Sequence, residues 1–313
     1  MDLIKYTYSI VVPLYNEEEN VEPLITSIFS ALEMYEIELL LIDDFSTDAT
    51  VKKIKQINHP KVTLIEFKKN YGQSSALMAG IDFASGDYII TMDGDLQNDP
   101  TDIPAMMHVL LTEDCDVVSG IRHKRKDNFI RKIPSKIANF IIRKTTGLSS
   151  KDHGCALKIF TKETAKELNI YGEFHRFITL LAFMNGARIK QMEVKHHPRK
   201  YGTSKYGLGR TTKVLNDLLL LLFQQNYLQK PIYLFGNIGL SFFVFGILIN
   251  SYLLIIKILG EEIGTRPLLT LGTLLILVGI QIFTIGIVLD LQMRTYYESQ
   301  KKRPFKIRKI TTF

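Results

Sequence analysis

Two long apolar runs in the C-terminal third restrict this chain more than any other feature of its sequence. Residues 232–256 and 268–289 contain no charged residue. Each run is long enough to cross, as a helix, a hydrocarbon core of about 30 Å. Core helices of a soluble protein are the alternative, but two uncharged runs in succession argue against it. We therefore predict two transmembrane helices, at about 232–256 and 268–290, within an anchor that spans 230–293.

Basic residues flank both runs and set the expected orientation. The tail at 294–313 carries seven Lys or Arg residues and one Glu, whereas the charges of the loop between the runs cancel. Because basic flanks remain on the cytoplasmic side, we expect a cytoplasmic domain at 1–229, a short external loop and a cytoplasmic tail, anchored in the inner (cytoplasmic) membrane. Small residues in the anchor allow close packing and favour a homo-oligomer. These residues are Gly239, Ser241, Gly246, Gly279 and Gly286.

Composition indicates the compartment and the charge of the partner. The chain has 39 Lys and Arg against 32 Asp and Glu, a net charge of +7, which suits an anionic partner such as a phosphate, a lipid surface or a nucleic acid. Cys115 and Cys155 form no CxxC pair, so we expect a reducing compartment and no disulfide framework. The N-terminus, MDLIKYTYSIVV, lacks a basic start and a long apolar core, so no signal peptide is predicted.

Short apolar runs alternate with helical patterns over residues 1–120. Strands that alternate with helices imply right-handed crossovers and a mostly parallel sheet. Ligands of such sheets bind beyond the carboxyl ends of the strands. We therefore expect the polar residues that end three predicted strands to meet at one edge of an α/β domain. They are Asn16 and Glu17, Asp43 and Asp44, and Asp93 and Asp95.

The stretch YIITMDGDLQND, residues 88–99, places two acids directly after a predicted buried strand. Only Gly94 separates Asp93 from Asp95, and two carboxylates this close repel each other. A hairpin turn is the alternative, but the residues that follow do not alternate as a strand would. Mg²⁺ and Mn²⁺ take carboxylate oxygens and keep other positions for phosphates. We therefore predict that this loop binds Mg²⁺ or Mn²⁺.

Other nucleotide and metal motifs are missing from the sequence. GxGxxG follows none of the predicted strands and Walker A is absent, which argues against a dehydrogenase and a P-loop NTPase. An EF-hand that starts at Asp93 would have Asn98 where glycine is required and Pro104 where glutamate is required. The metal that we predict therefore belongs to another kind of site.

Four stretches together resemble a known family. They are VVPLYNEEENV, LIDDFSTDAT, NYGQSSALMAGIDFASGDYIITMDGDLQNDP and HHPRKYGTSKYGLGR. They are similar to the inverting family-two glycosyltransferases and, more narrowly, to the polyprenyl-phosphate glycosyltransferases, the group of dolichyl-phosphate mannose synthases and bactoprenol glucosyl- and aminoarabinosyltransferases. The resemblance covers about residues 7–210, and the twin apolar runs match the membrane-anchored bacterial branch.

The resemblance implies a GT-A fold, Rossmann-like with a mostly parallel sheet, ahead of the two-helix anchor. It also implies transfer of a sugar from a nucleotide-sugar, preferably UDP-linked, to undecaprenyl phosphate with inversion. The expected partners are these two substrates and the bilayer, and no nucleic acid. The chain contains no Trp and so lacks the QxxRW motif of processive synthases, which favours a single transfer. Transfer to another lipid such as diacylglycerol, and a nonenzymatic scaffold with a vestigial nucleotide pocket, are the alternatives.

The resemblance also assigns roles to individual residues. Those implied for the nucleotide-sugar are Pro13, Tyr15, Glu17, Ile42, Asp44, Asp93, Gly94, Gln97 and, as a weaker match, Lys190. Those implied for donor or lipid phosphates are Arg122, Arg131, Arg199 and Lys205. Asp93 and Asp95 would hold the metal, and Asp95, Arg122 and Asp152 form the implied catalytic set. Asp152 matches a base or a sugar-orienting carboxylate; a turn residue before Gly154 is the alternative.

Three local patterns complete the prediction. Ser46 and Asp48 are interpreted as capping residues of the next helix. The stretch 129–147 has an apolar face and basic residues elsewhere, which is typical of a helix at the membrane interface; a surface helix packed on the core is the alternative. We expect a second interfacial helix at 208–228.

Overall fold

The structure, a computed structural model, describes residues 3–122, 143, 148, 152, 154–201, 210–228 and 230–299. Arg131, Lys205, most of the predicted helix at 129–147 and the tail from residue 300 lie outside the described residues. The chain divides into two compact units, Met1–Leu218 and Leu219–Phe313, each of which we describe by itself.

The first unit contains a seven-stranded sheet. Its strands are β1 Thr7–Leu14, β2 Glu36–Asp43, β3 Val62–Glu66, β4 Tyr88–Thr91, β5 Val117–Arg122, β6 Lys158–Thr161 and β7 Ile189–Val194. They lie in the order β3-β2-β1-β4-β6-β5-β7. Only β6 runs antiparallel to its neighbours, and every other pair is parallel. This mostly parallel sheet confirms the predicted α/β architecture.

Helices connect the strands of the described part. They are α1 Val21–Ala31, α2 Thr50–Ile57, α3 Gln73–Phe83, α4 Ile103–Thr112, α5 Lys162–Lys166 and α6 Ile178–Met184, with 3₁₀ turns at Leu3–Lys5, Pro100–Asp102 and Phe174–Phe177. An eighteen-residue helix, α7 Arg210–Tyr227, follows and corresponds to the predicted interfacial helix at 208–228. Its position at a membrane interface stays a prediction.

Close packing against the sheet fixes where the helices lie. A Cβ atom added to Gly80 of α3 would lie 2.3 Å from Cγ1 of Val11 and 2.6 Å from Cδ1 of Ile42. The backbone of α3 therefore rests directly on β1 and β2, where a larger residue has no room. On α1, the helically spaced Leu24 and Ile28 are fully buried, which confirms that the predicted apolar face packs on the core.

The second unit holds two long helices, α8 Ile232–Ile258 and α9 Pro267–Ser299. Both are long and apolar enough to cross a membrane by length and composition. A Cβ on Gly239 would lie 2.7 Å from the carbonyl oxygen of Gly279, and one on Gly246 would lie 2.7 Å from that of Gly272. The small residues thus bring α8 and α9 together as an antiparallel hairpin within one chain. The predicted homo-oligomer stays a prediction.

Candidate active site

The carboxyl ends of the parallel strands gather most of the predicted site residues. Because β6 runs in the opposite direction, the residues just before it arrive at the same edge of the sheet. The edge therefore receives side chains from six places along the chain. They are Pro13, Tyr15 and Glu17 at β1, Asp44 after β2, Asp93, Asp95 and Gln97 after β4, Arg122 at the end of β5, Asp152 before β6, and Arg199 after β7.

The turn after β4 is tightly held. A Cβ on Gly94 would lie 2.4 Å from Cδ2 of Leu14, so a larger residue here would displace the Leu14 side chain where this turn approaches β1. Leu96 has φ of 60°, a left-handed conformation that is uncommon outside glycine and that clusters at functional sites. The backbone N–H of Gln97 donates to Oδ1 of Asp95 at 3.2 Å. These constraints fix the path of the turn and the direction of the Asp95 carboxylate.

Asp93 and Asp95 concentrate negative charge at this edge, where Asp93 is partly buried and Asp95 is buried. Burial raises the pKa of Asp93, the neighbouring charge of Asp95 raises it further, and the positive charges of Lys158, Arg122 and Arg199 oppose the rise. Nε2 of Gln73 donates to Oδ1 of Asp93 at 2.8 Å. A divalent cation would relieve the repulsion between the two acids, and their hard oxygens suit Mg²⁺ or Mn²⁺.

Within the part of the chain that the structure describes, this cation is offered a pair of carboxylates and no larger cluster. Among the described residues, no three His, Cys, Asp or Glu side chains come together where they could hold a metal. Mg²⁺ commonly binds through one or two carboxylates plus substrate phosphates and water. The two acids therefore fit a metal that is completed by a phosphorylated substrate.

The segment after β7 is bound to the turn that carries the acids. NH2 of Arg199 donates to Oδ2 of Asp95 at 2.6 Å, and the side chains of these residues are 23% and 11% exposed. The backbone N–H of His197 donates to the carbonyl of Gln97 at 2.9 Å, and Nε2 of His197 lies 2.9 Å from Oδ2 of Asp99. Arg199 is thus held in place beside Asp95.

Arg122 and Asp152 form a two-point ion pair. Nε and NH2 of Arg122 donate to Oδ2 and Oδ1 of Asp152 at 2.7 and 2.8 Å. The backbone N–H groups of Arg122 and Gly154 also donate to this carboxylate, at 3.3 and 3.0 Å. Burial alone would raise the pKa of Asp152, but Arg122 and Gly154 bring it down to about 2. A carboxylate held in this way is a weak proton acceptor.

The loops after β1 and β2 are joined by side-chain hydrogen bonds. The backbone N–H of Asn16 donates to Oγ of Ser46 at 2.8 Å, and that of Glu17 donates to Oγ1 of Thr50 at 2.8 Å. Oδ1 of Asp48 accepts the N–H of Thr50, the first residue of α2, at 3.0 Å. Asp48 therefore serves the helix as predicted, whereas Ser46 binds the neighbouring loop and does not cap α2.

Asp44 and Ile42 differ in what they contact. The carboxylate of Asp44 accepts the N–H groups of Tyr71 and Gly72 at 2.7 and 2.9 Å, and burial raises its pKa. The side chain of Ile42 is fully buried and packs where α3 meets the sheet at Gly80. Asp44 is thus at the edge, while the side chain of Ile42 is in the core. The contacts of both residues with the nucleotide-sugar stay predictions.

Lys190 lies away from the other candidates. It is the second residue of β7, and its Nζ lies 2.6 Å from Oε2 of Glu113, which follows α4. The edge described above lies beyond the opposite end of β7, at Val194. The structure therefore does not bring Lys190 together with the other candidates, and its contact with the nucleotide-sugar stays a prediction.

Two residues near the acids were missed in the sequence. Lys158, the first residue of β6, is 2% exposed, and its Nζ donates to the carbonyl of Cys155. Burial lowers the pKa of Lys158, and the charges of Cys155, Asp152 and Asp93 oppose this change. Gln73 lies within a stretch that supported the family resemblance, but nothing in its local pattern indicates that it reaches Asp93.

Known proteins resemble this chain along most of its length. Residues 9–168 match the family described as Glycosyl transferase family 2. Dodecaprenyl-phosphate galacturonate synthase of Rhizobium johnstonii is 43% identical over 96% of this chain and 92% of its own. Undecaprenyl-phosphate 4-deoxy-4-formamido-L-arabinose transferase of Proteus mirabilis is 33% identical over 96% of this chain and 93% of its own.

A solved structure shares the fold at lower identity. Glucosyl-3-phosphoglycerate synthase from Mycobacterium tuberculosis, in complex with Mn²⁺, uridine diphosphate and glucosyl-3-phosphoglycerate, matches with a TM-score of 0.58 at 18% identity. The match covers 71% of this chain and 80% of that one. It confirms the GT-A-like architecture of the first unit.

Proposed function

The chain belongs to glycosyltransferase family 2, and we propose that it transfers one sugar from a nucleotide-sugar to a polyprenyl phosphate, with inversion, at the inner membrane. The observation that carries the proposal is the 43% identity to a dodecaprenyl-phosphate galacturonate synthase across 96% of this chain, because that match includes both apolar helices. Galacturonate is accordingly the first sugar to test, with a UDP-linked donor preferred.

The reaction that we propose is a single displacement at the anomeric carbon. An oxygen of the polyprenyl phosphate forms the new bond to that carbon, and the bond to the donor diphosphate breaks, so the nucleoside diphosphate leaves with its electrons. One displacement inverts the configuration. Because the second pKa of such a phosphate is about 6, the nucleophile is already largely anionic at neutral pH. Both oxygens of Asp152 already accept hydrogen bonds from Arg122, and the carboxylate is a weak base. This is consistent with a reaction that needs no strong base.

Within this mechanism, Asp152 orients Arg122, whose guanidinium binds phosphate oxygens. Arginine forks match phosphates with paired hydrogen bonds. Arg122 lies close enough to Asp93 to lower its pKa, and Arg199 contacts Asp95. The two arginines therefore place positive charge where two phosphates, which repel each other, must meet. Arg131 and Lys205 stay proposed phosphate ligands on the basis of the family resemblance.

Asp93 and Asp95 would hold the divalent cation. When bound, Mg²⁺ or Mn²⁺ would stabilise the negative charge that develops on the diphosphate leaving group. The raised pKa of Asp93 and the Mn²⁺ in the related mycobacterial synthase support this assignment. Pro13, Tyr15, Glu17, Asp44, Gly94 and Gln97 are proposed for the nucleotide-sugar, since they share this edge.

The two apolar helices are proposed to span the inner membrane, with residues 1–229 as a cytoplasmic catalytic domain. An anchor holds the site at the surface where the lipid is concentrated and so raises its effective concentration. The basic flanks of both helices support the cytoplasmic assignment.

A panel of donors and acceptors tests the proposal. The purified full chain is supplied with UDP-galacturonate, UDP-glucose or GDP-mannose, and with polyprenyl phosphate or diacylglycerol, in Mn²⁺, Mg²⁺ or EDTA. We expect one polyprenyl-phosphate sugar by mass spectrometry, the opposite anomer by NMR, and no product in EDTA. Transfer to diacylglycerol alone would assign a different acceptor class.

A further inference from the structure

The first turn of α3 connects a distant 3₁₀ turn to the acids of the site. Gln73 begins α3, and its Nε2 donates to Oδ1 of Asp93 at 2.8 Å. The next residue, Ser74, is 1% exposed, and its Oγ lies 2.9 Å from Nδ1 of His175. His175 belongs to the 3₁₀ turn Phe174–Phe177. Two hydrogen-bond contacts, on the adjacent residues Ser74 and Gln73, thus join His175 to Asp93.

The contact between Ser74 and His175 has two hydrogen bonds. The backbone N–H of His175 donates to Oγ of Ser74 at 3.2 Å, so the hydroxyl can donate its own hydrogen to Nδ1. Because Ser74 is buried, losing this partner leaves a polar group away from water, which is costly. The pair therefore fixes the position of the turn that presents Gln73.

The same turn is held from its other side. The N–H groups of Tyr71 and Gly72, which precede α3, donate to the carboxylate of Asp44 at 2.7 and 2.9 Å. Residues 71–74 are consequently fixed between Asp44 and His175. Gln73 lies inside this fixed stretch, so the direction of its amide depends on both contacts.

We infer that His175 is a positioning residue for metal binding: through Ser74 it fixes the first turn of α3 and thereby the Gln73 amide on Asp93. The inference rests on the proposed metal dependence. Without His175, the first turn of α3 would move more freely. The Gln73 amide would then donate to Oδ1 of Asp93 for a smaller fraction of the time, so the Asp93 carboxylate would be less well oriented. A ligand oxygen that is less well oriented binds the cation more weakly, as happens when the outer partners of metal ligands are removed.

Direct Mn²⁺ binding in the presence of UDP, measured from the EPR signal of free Mn²⁺, tests the inference on the full chain. We expect His175→Ala and Ser74→Ala each to weaken Mn²⁺ binding about 3- to 10-fold, the effect of one lost hydrogen bond. His175→Asn places a polar atom where Nδ1 lies and should bind Mn²⁺ like the wild type, whereas His175→Gln should not. The Ser74→Ala/His175→Ala double variant should bind no more weakly than either single variant.

His108→Ala is the matched control, since His108 is an exposed histidine of α4. Mn²⁺ binding by His175→Ala and Ser74→Ala as tight as that by His108→Ala would overturn the inference, as would equal binding by the Asn and Gln variants. If His175→Ala does not fold, as judged by circular dichroism, Ser74→Ala, His175→Asn and His175→Gln decide, with His108→Ala still the control. Absence of Mn²⁺ binding by the wild type would overturn both the metal assignment and the inference. If the variants change Mn²⁺ binding as expected but the wild type transfers no sugar to polyprenyl phosphate, only the proposed acceptor is overturned.

Discussion

Arg122 donates two hydrogen bonds to Asp152 through its side chain, from Nε to Oδ2 at 2.7 Å and from NH2 to Oδ1 at 2.8 Å. Both side chains are largely buried. An acid that is engaged at both oxygens is suited to orient its partner and poorly suited to accept a proton. The pair therefore makes separate predictions for stability and for the pH dependence of transfer.

For stability, we expect the free energy of unfolding of Asp152→Asn to be lower than that of the wild type at pH 7. This gap in free energy should narrow as the pH falls. The folded pKa is lowered from 3.8 to about 2, so the stabilisation is complete above the unfolded pKa and is lost as the pH falls through the folded one. A shift of this size corresponds to about 2 kcal/mol. Urea unfolding at pH 7, 4 and 3 measures the gap, with Asp82→Asn, an exposed acid of α3, as control. A gap that is constant with pH would contradict the assignment.

For transfer, we expect kcat/KM of the wild type to rise with pH around the second pKa of the acceptor phosphate, about 6. Asp152 stays ionised throughout this range because its pKa lies near 2. Rates from pH 5 to 8 at fixed metal and donor measure the profile. An acceptor analogue whose phosphate has a lower pKa should shift the profile to lower pH. A profile that does not move would mean that the titrating group belongs to the enzyme and not to the acceptor.

Asp95→Ala should abolish most transfer while leaving the fold intact. Losing this carboxylate removes one proposed metal ligand and its contact with Arg199. A site that stabilises developing charge typically loses about 100- to 1,000-fold in rate when one stabilising group is removed. Folding should survive because the repulsion with Asp93 disappears. Steady-state transfer and thermal unfolding report the two effects, with Asp82→Ala as control. Near-normal turnover in EDTA would exclude the metal.

Arg199→Ala should reduce transfer more than it reduces donor binding. One charge-assisted phosphate contact contributes about 1.5–3 kcal/mol, or about 10- to 150-fold in rate. Calorimetric binding of UDP with Mn²⁺ should change much less, since Asp44 and the metal pair remain. Lys200→Ala, at the exposed next position, is the control. Lost donor binding with normal transfer at saturating donor would assign Arg199 to the donor alone.

Removal of residues 230–313 should leave a domain that still binds nucleotide-sugar but transfers poorly to long-chain acceptor in liposomes. The reason is the lost effective concentration at the bilayer. Binding by calorimetry and transfer to liposomal or detergent-dispersed acceptor separate the two functions, and a short-chain soluble acceptor serves as control. Unchanged activity on liposomes would mean that the helices do not serve as the proposed anchor.

The sequence predicted the sheet and the edge that carries the acids because strand periodicity and terminal acids are local patterns. It could not place Ile42, since a strand buried on both faces gives a continuous apolar run that hides the direction of each side chain. It also could not show that Lys190 lies at the start of β7, because the place of a residue within a strand depends on strand boundaries and pairing. The link from Ser74 to His175 joins residues 101 positions apart, a distance at which no local pattern reports contact.

The reversed strand β6 has a consequence for how this fold can diverge. The chain leaves the sheet at Arg122, and Asp152, 30 positions later, lies at the same edge. The ion pair between these two residues therefore joins the two ends of the intervening segment beside the site. Doubling the length of a flexible connection costs only about 0.6 kcal/mol in closure entropy. Because the ion pair fixes both ends of the segment between these two residues, we expect a change in the length of that segment to leave the strand register of the sheet unaltered.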